Sequence, residues 1–560
     1  MTPSWLHPSL VLILGALAMP LFQGRARQVW QILLPLVVGA IVLGLEPGNY
    51  GQLTFLNLEL TILRVDQLSL VFATIFSLIL VIGSIYALHV TDRIQHVAAM
   101  VYGAAALGVV LAGDLATLYV FWELMVISSV WLIWQRRTRV AYQAGLRYIL
   151  VHAVSGMLLL VGILAYYHNT GTIAFGEIPP DGAAFYLILV AFLINAAVPP
   201  LHAWLADAYP EATVTGIIFL SALTTKTAVY TLVRGFPGTE LLVWLGAVMA
   251  LYGVVYAVLA NDIRRLLAYH IVSQVGYMVA GVGMGTSLAL AGTAAHAFTH
   301  ILYKAVLLMG AGAVLHMTGR SKLTELGGLY RWMPITFVLY MIGGFSISAF
   351  PLFSGFVSKT MIVEAAAVDH RAVIWLMLTM ASAGTFLHTG LKLPYFTFLG
   401  EDSGLRPKEA PTNMLVAMGI AAFLCVFIGL FPGTLYALLP QAVDYHAYTV
   451  GHLLKEMQLL LFTGLGFFLL LKHVGGEAKI SLDTDWFYRR AGPVVFGCLR
   501  TVVTTADRIT RTVALGLLWR GLTMARDSQS SAGLARSRPV GAMALWTAIV
   551  LGILLVASLH

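Results

Sequence analysis

The chain has 560 residues, 59% of them hydrophobic and 10% charged, with a mean hydropathy of +0.87. This composition excludes an ordinary soluble globule and gives a polytopic membrane protein with room for many spans of about 20 residues each. The formal charge of +8 does not mark a nucleic-acid binder, because the basic residues fall in short loops between apolar runs, where the positive-inside rule accounts for them.

In chain order, the apolar runs predict about sixteen spans, near 7–23, 28–45, 67–89, 96–113, 115–135, 142–167, 184–206, 212–233, 240–260, 266–285, 288–316, 334–367, 372–399, 412–432, 452–472 and 541–559. The first run has no basic stretch before it and no small-residue cleavage site after it, so it reads as a retained helix. Residues 51–64 alternate with period two and predict a small outward hairpin. Arg25, Arg27, Arg93, Arg136, Arg137, Arg139, Arg264, Arg265, Arg320, Lys322, Arg331, Arg406 and Lys408 fall in one set of alternate loops, whereas the other set has chiefly Arg64, Arg234 and Arg371. The first set is therefore cytoplasmic and both termini face outward. Over 483–526, seven arginines are spread among apolar residues without a membrane-length run, which predicts an amphipathic helix at the cytoplasmic surface. The resulting organisation is N-terminal helices (1–95), a first repeat (96–235), a second repeat (236–400), C-terminal helices (401–482), the surface helix and linker (483–540), and a final anchor (541–560).

Polar groups inside the spans carry the functional signal. Pro199-Pro200 must interrupt the span near 184–206, and irregular backbone at membrane depth is tolerated only where protein or water satisfies it. Ionisable side chains lie within spans at Glu123, Lys226, His296, His300, Lys304, Lys359 and Lys392. An intramembrane lysine costs roughly 2.5–3.5 kcal/mol on insertion scales, so one alone would read as a snorkelling or ion-paired group. Their joint occurrence reads as a proton relay. His296, His300 and Lys304 are spaced i, i+4, i+8, which aligns them on one helix face. A second interruption, at 346–356, precedes Lys359, and the intervals Asn195 to Lys226 (31) and Lys359 to Lys392 (33) are similar. Paired broken helices fit the inverted-repeat logic of secondary transporters, with a tandem duplication of packing hairpins as the alternative.

The two cysteines, Cys425 and Cys498, supply no cluster, and no phosphate-binding glycine loop, CxxCH or HExxH occurs. The chain is expected to hold no cofactor and no metal.

Six stretches resemble one family: Gly113-Asp-Leu-Ala-Thr-Leu-Tyr-Val-Phe-Trp-Glu123, Pro200-Leu-His-Ala-Trp-Leu-Ala-Asp-Ala-Tyr-Pro-Glu-Ala-Thr, Leu223-Thr-Thr-Lys226-Thr-Ala-Val-Tyr, the run from Asn261 to Tyr277, 296–304 and 351–359. The sequence is similar to the antiporter-like subunits shared by Mrp-type cation/proton antiporters and the large membrane subunits of respiratory complex I. The resemblance implies an all-α membrane fold with two inverted five-helix repeats, each containing a broken helix, crossed by a mid-membrane chain of charged residues. It casts Glu123 as the fifth-helix glutamate, Lys226 as the eighth-helix cation, His300 and Lys304 as the central relay, and Lys359 as the terminal lysine; Lys392 has no firm counterpart. Asn195 stands where most members place a lysine, and an amide cannot take a cationic role.

The implied function is a proton-translocating subunit of a multisubunit cation/proton antiporter in the cell inner membrane, with Na+ as the expected cation and other membrane subunits as partners. Two alternatives stay open: a proton-pumping subunit of a complex I-like quinone or ferredoxin oxidoreductase or membrane hydrogenase, and the membrane partner of an inorganic-carbon uptake complex.

Overall fold

The computed structural model describes residues 6–441, 443–475, 477, 483–529 and 540–558, which fall into two compact units, 1–484 and 485–560. Twelve helices among the described residues are long and apolar enough to cross a membrane. The other four of the sixteen expected positions hold shorter apolar helices, Pro8–Leu21, Gly182–Asn195 and Pro334–Ile347, and the more polar Val450–Leu469.

The hairpin forms from strands Gly48–Phe55 and Leu58–Val65, antiparallel, with Gly48 opposite Val65 and Phe55 opposite Leu58. Leu56 and Asn57 both have positive φ (48° and 63°), the two-residue turn whose twist matches that of the flanking strands. Gly113 N donates to Thr61 O (2.9 Å) and Thr61 N donates to Asp114 Oδ2 (2.8 Å), which fixes the hairpin over the start of helix Leu115–Trp134.

Burial then separates the helices. Gly216–Gly235 and Ile263–Met284 are buried along their whole apolar length, and Ser287–Thr318 nearly so, while Arg139–Thr170 leaves much of its surface open. The helices that carry Lys226, His270, His296, His300 and Lys304 are thus buried along nearly their whole apolar length, where an intramembrane charge is least costly. Glu240–Leu259 and Ile263–Met284 pack closely through small residues: a Cβ at Gly246 would fall 2.2 Å from Ala280 N, and one at Gly276 2.5 Å from Ala250 N.

Two spans are broken, and both breaks close in the same way. Gly182–Asn195 ends with Ala197 in the left-handed region (φ 57°), Ala197 N donating to Ile194 O (3.0 Å) and Val198 N to Leu193 O (3.1 Å). Pro334–Ile347 ends with Ala349 at φ 58°, Ala349 N donating to Ser346 O (3.2 Å) and Phe350 N to Phe345 O (3.0 Å). Both are Schellman closures, which satisfy carbonyls that the stopped helix would leave bare. After the first break the chain resumes as Ala203–Ala208, with Trp204 Nε1 donating to Ile194 O (2.9 Å); after the second it resumes as Lys359–Val368.

The second unit contains helices Gly492–Gln529 and Val540–Ser558. The first overlaps the stretch 483–526 expected to be amphipathic; residues 530–539 of the expected linker lie outside the described residues.

Candidate functional site

Lys226 sits beside a third interruption that the sequence does not announce. Helix Gly216–Ala222 stops at Leu223 (φ −98°, ψ −68°) and restarts as Thr224–Gly235. Lys226 Nζ donates to Ser221 O (2.6 Å), a carbonyl of the stopped turn, and to Thr225 Oγ1 (3.1 Å). The break therefore supplies the acceptor that makes a fully buried ammonium tolerable.

Helix Ser287–Thr318 runs unbroken through the core and carries His296, His300 and Lys304, all 0% exposed. The rings of His296 and His300 are 6.0 Å apart, and both nitrogens of His300 lie buried without a protein partner. Two branches lead away. On one, Lys304 Nζ donates to His270 Nδ1 (3.1 Å), and the His270 ring lies 4.9 Å from that of His388. On the other, His296 meets Tyr303 OH (3.2 Å) and lies 6.0 Å from the Tyr277 ring, over which Lys359 Nζ sits at 5.9 Å. A neutral imidazole offers one donor and one acceptor nitrogen, so such a row can take a proton at one edge and release it at the other.

Lys359 is the first residue of the second half-helix and donates to Ile347 O (3.3 Å), the last residue of the first half. Lys392 ends a wide-turn segment, Phe386–Lys392, and donates to Val258 O (2.5 Å) and Ala260 O (3.4 Å). It thus caps the end of helix Glu240–Leu259, next to the branch through His388.

Glu123 and Asn195 stand apart from this row. Glu123 Oε1 is buried against Gly156, where a Cβ would fall 1.9 Å away, and none of the buried lysines comes within ion-pair distance of it among the described residues. Asn195 is 0% exposed, and neither its Oδ1 nor its Nδ2 has a protein partner.

Sequence reasoning missed His270 and Tyr277, although both lie in the run from Asn261 to Tyr277, and His388, four residues before Lys392; each reads as a lone polar residue until its helix neighbour is known. It also missed Asp483. That carboxylate accepts from His202 Nε2 (3.2 Å), Tyr269 OH (2.6 Å) and Tyr252 OH (2.5 Å), which ties the segment before the second unit to the residues just past Pro199-Pro200. Burial pushes the Asp483 carboxyl up, but the bond and charge of His202 and the two tyrosine bonds outweigh it and hold the group below the usual carboxylate range.

Comparison with known proteins agrees with this architecture. The family described as NADH:quinone oxidoreductase/Mrp antiporter, TM, matches residues 112–386. An uncharacterized protein of Methanocaldococcus jannaschii is 32% identical over 59% of this chain and 73% of its own length. A Na(+)/H(+) antiporter subunit of Alkalihalophilus pseudofirmus is 33% identical over 52% of this chain, and the match spans 63% of that subunit. In solved structures, a chain of the membrane-bound sulfane sulfur reductase, an archaeal respiratory membrane complex, superposes with a TM-score of 0.72 over 98% of this chain and 99% of its own, at 24% identity. With the buried Lys/His row, the paired helix breaks and these matches taken together, the chain belongs to the NADH:quinone oxidoreductase/Mrp antiporter membrane family.

Proposed function

We propose that the chain is the proton-translocating subunit of a multisubunit cation/proton antiporter in the cell inner membrane, exchanging protons for a cation, with Na+ as the first to test. The observation that carries this reading is the buried set of Lys226, His300, His296, Lys304, Lys359 and His388, in which Lys304 reaches His270 and Lys359 sits over the Tyr277 ring. Protons enter near Lys226, pass along the histidines, and leave near Lys359. Glu123, at the edge of the bundle, biases entry rather than pairing with Lys226. The loop charges orient the chain with both termini outside, so the first broken helix runs inward and the second outward, as two inverted repeats over 96–235 and 236–400 require. The subunit works within a hetero-oligomer.

The test is proton flux in vesicles containing the whole complex, comparing wild type with Lys304→Ala and Lys359→Ala. Both variants should lose flux by about 100-fold, the scale of a removed acid–base group. Unchanged flux in both would sink the relay.

A second reading, a membrane subunit of a redox-driven respiratory complex, is favoured by the fold match over 98% of the chain, long C-terminal helix included. The subunits that co-purify separate the two: small antiporter subunits for the first, flavin and iron–sulfur subunits for the second.

A further inference from the structure

No carboxylate lies within ion-pair distance of Lys359 among the described residues, and its one hydrogen bond there is to Ile347 O. The half-helix it opens is contacted, at its start and just before it, by Tyr436, Tyr445 and His452. Tyr436 OH donates to Val357 O (2.7 Å), Tyr445 OH lies 2.9 Å from Thr360 Oγ1, and the His452 ring stacks on Phe356 at 4.6 Å.

One turn beyond His452, in helix Val450–Leu469, Glu456 is 5% exposed. Its Oε1 is 4.0 Å from His452 Nε2, and its Oε2 is buried without a protein partner. A carboxylate so placed is costly unless water or a mobile proton meets it. It follows by one turn the His452 ring that packs on Phe356, three residues before Lys359. Its other side lines a cavity of about 600 Å³ with Trp375, Thr379, Lys455, Gln458 and Thr463. Lys455 Nζ sits 5.2 Å from the Trp375 ring centre on the same cavity wall. Glu456 therefore stands between the half-helix that Lys359 opens and a cavity at the side of the bundle, whose wall is apolar apart from Thr379, Lys455, Gln458, Thr463 and Glu456 itself.

We propose that Glu456 is the group through which the Lys359 end of the pathway exchanges protons with water, an inference that rests on the relay reading above. In this step an N–H bond of the Lys359 ammonium breaks, leaving the neutral amine, and the proton passes through intervening water to form an O–H bond on the Glu456 carboxylate. The carboxylic acid then gives the proton to cavity water and returns to the anion.

The test uses vesicles of the whole complex with wild type, Lys304→Ala, Glu456→Gln and Glu456→Asp, each checked for subunit content. Glu456→Gln should lower proton flux about 100-fold, and Glu456→Asp should retain roughly half or more. Wild-type flux in Glu456→Gln with an inactive Lys304→Ala overturns the Glu456 assignment and leaves the relay standing; wild-type flux in Lys304→Ala overturns both. A second measurement covers failed assembly of Glu456→Gln. Thr463→Cys in a Cys498→Ser background, where the remaining Cys425 is buried, is assayed before and after a membrane-impermeant thiol reagent. Flux should fall on modification; a modified protein with undiminished flux, or a cysteine the reagent never reaches, overturns the proposal.

Discussion

The two broken helices share a closure and differ in the residue that the chain places a dozen positions beyond it. Aligned on their Schellman motifs, Asn195 matches Ile347 and Pro199 matches Pro351; Lys359, twelve residues past Ile347, then matches Asp207, twelve past Asn195. Lys359 is thus not the counterpart of Asn195. At the shared position the second break carries a lysine without a carboxylate within ion-pair distance among the described residues, whereas the first carries an aspartate held by Arg147 through bonds of 2.6 and 2.9 Å. The same local fold serves a movable charge in one place and a tied one in the other. On the first side the cationic work moves to Lys226, whose own helix is interrupted to receive it.

The largest expected effect comes from Gly355 in the second break. A Cβ there would fall 1.8 Å from Ser346 O, a backbone atom that cannot swing away. Gly355→Ala should destabilise by about 3 kcal/mol or more and appear as lost assembly or a lower Tm. If Gly355→Ala purified with wild-type Tm, the second break would have to be far looser than the first.

Next, the aligned pair separates transport from stability. Lys359→Ala should lower proton flux about 100-fold with normal assembly. Asp207→Asn should instead lower stability by about 1–3 kcal/mol, because it leaves a partly buried guanidinium with a weaker acceptor, and change flux less than the lysine variant does. Equal flux losses in the two would mean that both breaks conduct in the same way.

Asp483→Asn sharpens the comparison further, since among the described residues the first break alone is tied to Asp483, just before the second unit. Loss of the charge-assisted bonds should cost about 1–3 kcal/mol at neutral pH. The folded carboxyl lies below its ordinary value, so its contribution is complete above about pH 4 and disappears as pH falls through the folded pKa. The Tm gap between wild type and variant, followed downward from pH 7, should hold steady and then close in acid. A gap that is constant at every pH would assign the effect to packing.

What the sequence made legible here was whatever a single residue type forces. Pro199-Pro200 cannot continue a helix, the period-two run at 51–64 cannot be one, and the spacing of His296, His300 and Lys304 shares a face in any continuous helix. What stayed hidden depends on approach between segments. The stop at Leu223 has no proline or glycine to announce it, and His270 joins the row only because Lys304 reaches across from the neighbouring helix. His388 faces it from a wide-turn segment whose spacing departs from the helical period. The match of Lys359 to Asp207 comes from backbone closure, which the lysine spacings of 31 and 33 residues do not reveal.

The smallest effect asks whether the shared closure is a local property of the chain. Ala197 and Ala349 hold φ of 57° and 58°, where an L-residue with a Cβ carries about 1–2 kcal/mol of strain and glycine carries none. Both are fully buried, so removing the methyl group forfeits about 0.8 kcal/mol of burial. Relief outweighs loss by a small margin, and Ala197→Gly and Ala349→Gly should each raise stability by about 1 kcal/mol or less. Equal small gains, read from Tm in the assembled complex, would mean that the two breaks are the same backbone device and that their functions diverge only at Asp207 and Lys359. A gain at one and a loss at the other would mean that the surrounding helices set each break separately, and the alignment of Lys359 with Asp207 would lose its basis.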